Sequence, residues 1–434
     1  MSSSQRDEIL ERLRRFESRN VTYLPAEASW PIVWERAKGM QVWDSEGRQY
    51  LDFTAAFGVA AAGHAAPPVV RAGRRQMGHL LHAMGDVHPH PLKATLAERL
   101  SDLTFGRWGQ GSGKTVFCNS GFETIEVALK SACQATGRSH ILSFEGGYHG
   151  LGYGALVATH RSHFRGEFGK QVGEFGGAVP YPSPGDDLGT LRELIVKEFE
   201  AKPIGALLVE PIQGRGGINV PPDGFLAMLR TICDEFGAVL IFDEIYTGFG
   251  RSGTWFACED EGVFPDLICV GKALTGGFPL SALIGESEVM DQAWPKSTGE
   301  AIHTSTYLGH PVGCAMALAQ IDLIERRRLV ERSSRMGALL KKQLEAAFRD
   351  YADRVSIRGR GLMIGVELRT PSGAPDSERS LGLIENILTE GYLLLPDGEF
   401  GNIIGITPPL ILTTRHIKGF VETLFQLYHK SLFV

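Results

Sequence analysis

Four reactive side chains in this sequence each follow a short apolar run. Ile268-Cys269-Val270 leads into Gly271-Lys272, Val239-Leu240-Ile241-Phe242 into Asp243-Glu244, Leu207-Leu208-Val209 into Glu210-Pro211, and Val116-Phe117-Cys118 into Asn119-Ser120-Gly121. Such runs suit strands buried on both faces of a parallel sheet. Open parallel sheets bind ligands beyond the carboxyl ends of their strands, so the four groups would meet along one edge. A lysine leaving a buried strand beside Gly276-Gly277 is partly desolvated, which lowers its pKa and frees the neutral amine to attack an aldehyde. Taken alone, it is as well read as a lysine that snorkels at a strand end. Asp243 closes the most apolar run and needs a positive partner. A protonated pyridine nitrogen would serve, in a ring that accepts electrons as a substrate loses a proton; a helix cap or a pair with Arg251 is the plainer reading. After Ser120-Gly121, residues Ile125, Ala128, Leu129 and Ala132 fall at helical spacing. The first turn of that helix would offer free N–H groups to a phosphate, although serine is also a common N-cap.

Other motifs carry less. Gly109-Gln110-Gly111-Ser112-Gly113-Lys114-Thr115 imitates a nucleotide-binding loop, but Trp108 stands where a glycine is required and a strand follows where a helix must. Phe144-Glu145-Gly146-Gly147-Tyr148-His149-Gly150 ends another apolar run with an aromatic that could stack on a flat ring, or fill the core. His82, His88 and His90 surround Asp86, but Pro89 and Pro91 suit a rigid loop better than a metal site.

The elements that must position these groups are helical stretches alternating with the β-rich runs 115–118, 140–144, 205–209, 238–242 and 267–270. That alternation predicts an α/β domain with a mostly parallel sheet. A hairpin is expected over 42–52, helices from Pro311 to about 351, and a smaller α+β unit after that. The expected division is 1–60, an N-terminal segment of the small domain; 61–325, the large domain; and 326–434, the C-terminal small domain. Residues 1–20 read as an amphipathic helix, not a signal peptide. With 434 residues, a net charge of −6 and no basic patch, small molecules are expected as partners, and neither nucleic acid nor membrane. No apolar run reaches the roughly 18 residues of a membrane span. The six cysteines are widely spaced and form no Cys-x-x-Cys pair, as in a reducing compartment, so a cytoplasmic location is expected.

In order along the chain these segments closely resemble the class III aminotransferases. The matching pieces are Leu51-Asp52-Phe53 with Gly63-His64; Asn119-Ser120-Gly121 with Glu123; Tyr148-His149-Gly150; Glu210-Pro211-Ile212-Gln213-Gly214; Asp243 through Arg251; Pro265-Asp266 with Lys272 and Gly276-Gly277; Thr306 before Gly309-His310-Pro311; and Arg358 through Met363. The resemblance implies fold type I, a homodimer with sites at the subunit interface, and pyridoxal 5'-phosphate as cofactor. It implies Lys272 as the Schiff-base lysine and proton shuttle, and Asp243 on the pyridine nitrogen. Ser120 and Gly121 would hold the phosphate, Tyr148 and Ile245 would cover the two ring faces, and Glu210 would support Asp243 or the adjoining loop. Thr306 would reach the phosphate of the neighbouring subunit's cofactor.

Departures from the family pattern concern the substrate. Gly405 replaces an arginine that grips a carboxylate, Arg215 an acidic gate residue, Leu151 another arginine, and Tyr246 a common glutamine. Arg215 is therefore expected to supply the carboxylate-binding charge, with Phe53, Phe57, Trp30 and Tyr153 as candidates for an apolar substrate pocket or for core. The expected reaction is ping-pong transfer of an amino group from an amine or amino acid to a keto acid. A racemase or aminomutase on the same scaffold is the first alternative, and a non-catalytic binding protein of this fold the second.

Overall fold

The computed structural model describes residues 4–24 and 30–432. Its centre is a seven-stranded sheet in the order Gly113–Cys118, Ser281–Glu286, Leu267–Val270, Val239–Asp243, Ile204–Val209, His140–Phe144, Gly176–Val179. Ser281–Glu286 runs antiparallel to both neighbours and the remaining pairs are parallel. The three central strands are buried along their whole length, as their unbroken apolar sequence requires. Burying a side chain such as Phe242 or Ile241 contributes about 2 kcal/mol, which fixes strand position firmly and with it the polar residue at each strand end.

The helix Gly121–Thr136 buries Ile125, Val127, Ala128 and Ala132 and ends at Gly137, whose φ of 68° supplies the left-handed cap. The expected amphipathic helix forms over Gln5–Phe16. The expected helices near 311–351 are Pro311–Arg326 and Leu329–Ala347.

The two ends of the chain share structure. The hairpin strands Gln41–Asp44 and Gln49–Asp52 pair antiparallel, and Leu51 and Asp52 pair in parallel with Tyr392 and Leu393. A four-stranded antiparallel sheet follows in the order Val355–Arg360, Met363–Leu368, Ile403–Ile406, Leu395–Asp397. Phe53 is fully buried in the resulting core and stacks on Phe420 with ring centroids 4.2 Å apart, so it does not line a substrate pocket.

Immediately after Phe53 the backbone turns left-handed: φ is 47° at Ala55, 49° at Ala56, 61° at Phe57 and 81° at Gly58. Each non-glycine residue so held costs about 1–2 kcal/mol. Asp52 offsets part of this. Its Oδ1 accepts from Thr54 N at 2.7 Å and Thr54 Oγ1 at 2.6 Å; its Oδ2 accepts from Ala56 N at 3.0 Å and meets His64 Nε2 at 2.7 Å. The turn is thereby pressed toward the strand ends. A Cβ on Gly58 would lie 2.6 Å from the Tyr246 ring, so only glycine fits there.

Candidate active site

Asp243, at the end of its strand, is buried. Its Oδ2 pairs with His149 Nδ1 at 2.8 Å and its Oδ1 accepts from Ile245 N at 3.1 Å. The plainer expectation of a pair with Arg251 is not realised; Arg251 donates instead to the carbonyls of Leu362 and Pro408. Burial works against charge on His149, but the hydrogen bond to Asp243 and the charges of Asp243 and Glu210 outweigh it and raise the histidine's pKa.

Glu210 ends the adjacent strand. Its Oε1 accepts from Tyr148 N at 3.0 Å and its Oε2 from Gly214 N at 2.8 Å, so it ties together two loops and does not touch Asp243 directly. Burial pushes its carboxyl up to about 7, with His149 pulling it down and Asp243 pushing it further up.

Lys272 follows the next strand in a strained backbone conformation, φ 32°; such strain concentrates at functional sites. Its Nζ lies 4.6 Å from the centre of the Tyr246 ring. Burial lowers the lysine's pKa, Asp243 and Glu210 raise it, and the Arg215 guanidinium lowers it again; the net direction is down, toward a reactive neutral amine.

On the other side, Ser120 precedes the helix Gly121–Thr136 without capping it. Its Oγ is buried and has no hydrogen-bond partner, although Ser120 O is well occupied by Ser281 Oγ at 2.6 Å. The first-turn N–H groups point the same way. A buried hydroxyl without a partner beside a helix start suits an anion such as phosphate. Ile245 packs on the backbone of both Gly121 and Gly271, bridging the helix start and the lysine strand. Tyr148 is half-buried opposite, with its ring against Phe164.

The structure thus brings together Lys272, Asp243, Glu210, Ser120, Gly121, Tyr148, Ile245 and Arg215. Three expected residues stay away, one of them Phe53, buried against Phe420. Tyr153 is exposed and bonds through its hydroxyl to Gln171 at 2.8 Å. Thr306 lies exposed on a surface loop. Trp30 and Phe57 line an apolar cavity of about 350 Å³ with Leu393 and Leu395.

His149, Arg161 and Asp397 also belong to this centre. His149 was visible within the Tyr-His-Gly motif. Asp397 closes the run Leu393-Leu394-Leu395-Pro396, the same apolar-run-then-acid signal that marks Asp243.

Residues 22–427 match the model of the family described as aminotransferase class III. The chain belongs to the class III aminotransferase family. Among related class III enzymes, the acetylornithine aminotransferase of Methanosarcina acetivorans is 39% identical over 397 residues, 91% of each chain. A 4-aminobutyrate aminotransferase of Escherichia coli is 32% identical over 410 residues, 92% of this chain and 94% of that one. Among solved structures, a Bacillus anthracis aminotransferase superimposes with a TM-score of 0.90 at 27% identity, covering 99% of this chain and 100% of its own. An amine transaminase from an uncultivated Pseudomonas species, solved with pyridoxal phosphate bound, gives 0.85 at 30% identity, covering 95% and 99%. Fold type I and aminotransferase activity follow from this membership. Class III aminotransferases use pyridoxal phosphate, and the residues present fit it: an unpartnered buried hydroxyl for the phosphate, a carboxylate for the ring nitrogen, and an amine for the aldehyde.

Proposed function

We propose that the chain carries out ping-pong transamination with Lys272 as its covalent anchor and proton carrier. When bound, the pyridoxal ring supplies an electron sink for the pair left behind as the substrate loses its proton. Lys272 Nζ takes that proton from the substrate carbon that bears the reacting nitrogen, and its lowered pKa supports this role. Asp243, hydrogen-bonded to His149, pairs with the ring nitrogen. Ser120 and Gly121 hold the phosphate, while Tyr148 and Ile245 flank the ring. The donor leaves as a carbonyl compound, and a keto acid then collects the nitrogen; the water consumed in the first half is returned in the second. Arg215 holds a substrate carboxylate.

The working unit is a homodimer. Exposed Leu81, Met84, Val87, Ile302 and Tyr307 support this. Their two segments adjoin through the bond from Thr304 Oγ1 to Asp86 at 2.7 Å and the contact of His82 with Tyr307. Such a patch calls for a covering surface. Thr306 stands within it, where it would serve the site of a partner subunit. Free and mostly buried cysteines agree with a reducing cytoplasm, and among the described residues no helix is long and apolar enough to cross a membrane. The chain divides near residues 60 and 326, with its first segment belonging to the small domain.

The observation that carries this reading is the convergence of Lys272 and the Asp243–His149 pair on the helix start that holds the unpartnered Ser120 Oγ. Borohydride reduction of the holoenzyme followed by peptide mapping tests it. The pyridoxyl label is expected on Lys272; a label elsewhere, or none, overturns the reading.

A further inference from the structure

Tyr246, three residues beyond Asp243, is one of the positions at which the chain departs from the family pattern, and the cofactor reading leaves it without a task. Its ring is wedged in a slot that two glycines make possible. A Cβ on Gly58 would lie 2.6 Å from Cε2 at one edge of the ring, and a Cβ on Gly214 would press closer still on Cδ1 at the other. Neither position admits a side chain while the ring is in place. The tip is fixed as well. The Tyr246 hydroxyl donates to Thr407 Oγ1 at 3.1 Å, and Thr407 Oγ1 donates onward to Thr54 O at 3.1 Å. Three separate stretches of chain thus hold one ring in one orientation.

That orientation presents a face to the reacting amine. Lys272 Nζ sits over the ring, 4.6 Å from its centre, within the range at which an ammonium is drawn to an aromatic face. The lysine stem is confined by the same turn, since its Cδ would lie 3.8 Å from a Cβ on Gly58. Among the described residues Nζ has no hydrogen bond and no ion pair; Asp243, Glu210, Arg215 and Asp397 act on it through space. Burial, followed by the charge of Asp397, pushes the Tyr246 hydroxyl up to about 12, so the ring stays uncharged and offers its π electrons rather than a phenolate. A proton carrier must be an ammonium for part of each cycle, and burial opposes that form. A carboxylate in contact would lock the lysine in its charged state. An aromatic face supports the ammonium more weakly and leaves the neutral amine free.

We propose that Tyr246 is a positioning residue whose ring face supports the ammonium form of Lys272, and that Gly58, Gly214 and Thr407 aim it. The inference rests on the reading of Lys272 as proton carrier. A glutamine at position 246 presents no such face.

The test uses the enzyme loaded with pyridoxamine phosphate, in which the Lys272 amine is free. Position 246 carries in turn phenylalanine (Tyr246→Phe), 4-fluoro-, 3,5-difluoro- and 3,4,5-trifluorophenylalanine. These rings are nearly equal in size, but each fluorine withdraws charge from the π face. Competitive acylation by acetic anhydride across pH, read on the Lys272 peptide, gives the midpoint at which the amine loses its proton. That midpoint is expected to fall with every fluorine, and labelling on its acid side to rise about three- to tenfold across the series. The surrounding charges and any packing defect are common to all four members and leave the trend untouched. At the same position 3-fluorotyrosine keeps the hydroxyl and its Thr407 bond; a smaller fall relative to tyrosine is expected, and it carries the test if loss of the hydroxyl prevents folding. A midpoint that stays fixed or rises overturns the proposal. Borohydride labelling of the pyridoxal form keeps the two readings apart. With Lys272 labelled, a flat series removes the aromatic support alone; no label on Lys272 in the unaltered enzyme removes both.

Discussion

Two clusters of charge act on Lys272, and they are built differently. Around the cofactor position every acid is tied down: Asp243 by His149 and Ile245 N, and Glu210 by the N–H groups of Tyr148 and Gly214. Arg215 and Asp397, by contrast, stand 3.8 Å apart, with the Arg215 Nε buried and without a hydrogen-bond partner among the described residues. A centre that must hold one group through every turnover gains from being satisfied in advance. A centre that must exchange ligands gains from open valences, since a pair already closed on itself would compete with each substrate. The first cluster belongs to the chemistry common to the family, and the second is where this chain differs.

Breaking the satisfied side should cost most. Asp243→Asn, measured as single-turnover conversion of the bound cofactor with saturating donor, is expected to slow the reaction roughly a thousandfold, because an uncharged partner no longer holds the ring nitrogen protonated. A loss below tenfold would detach Asp243 from the ring. Altering the open side should cost less and act selectively. Arg215→Ala is expected to lower kcat/KM for keto-acid acceptors by about ten- to a hundredfold, the range for losing one charged hydrogen-bond donor. Borohydride labelling of Lys272 should survive in that variant, and unchanged use of acidic substrates would remove Arg215 from carboxylate binding.

The finest test of the contrast is pH. Burial pushes the Asp397 carboxyl up to about 6, against the pull of Arg215, Arg161 and Lys272. Its charge is present above that value and lost below it. With that carboxylate neutralised the Arg215 guanidinium is free of its competitor, so kcat/KM for a keto acid, relative to an uncharged aldehyde acceptor, is expected to rise a few-fold as the pH falls from 8 to 5.5. Asp397→Asn should flatten that profile. A ratio constant across the range in the unaltered enzyme would separate Asp397 from the charge of Arg215.

The same contrast explains what the sequence made legible. Lys272, Asp243, Glu210 and Ser120 stood out because each ends an apolar run long enough to be a buried strand, and the sheet gathers such ends on one edge. The antiparallel strand Ser281–Glu286 and the edge strand Gly176–Val179 went unmarked. The first is apolar only from Ala282 to Ile284, and the second is short and begins with two glycines. Phe53 looked like a pocket residue beside a family motif, yet the alternation of the strand Gln49–Asp52 breaks after the buried Asp52, and Phe53 is buried as well, against Phe420. Asp397 escaped notice because its strand has three residues and its place depends on a glycine, Gly405, on the adjacent strand of the same sheet. The one mark at its own position is the short apolar run Leu393-Leu394-Leu395 before it, which is interrupted by Pro396 and does not read as a long buried strand.

The strained turn Ala55–Gly58, which backs onto Tyr246 and Lys272, hangs from a strand whose parallel neighbour, Tyr392–Leu393, lies near the opposite terminus of the chain. Synthesis proceeds at about 5–20 residues per second, so the early strand leaves the ribosome long before that neighbour exists. The catalytic sheet can assemble in the meantime, but the partition behind its lysine waits for Tyr392–Leu393 to be made. Birth order thus separates the making of the reactive centre from its enclosure.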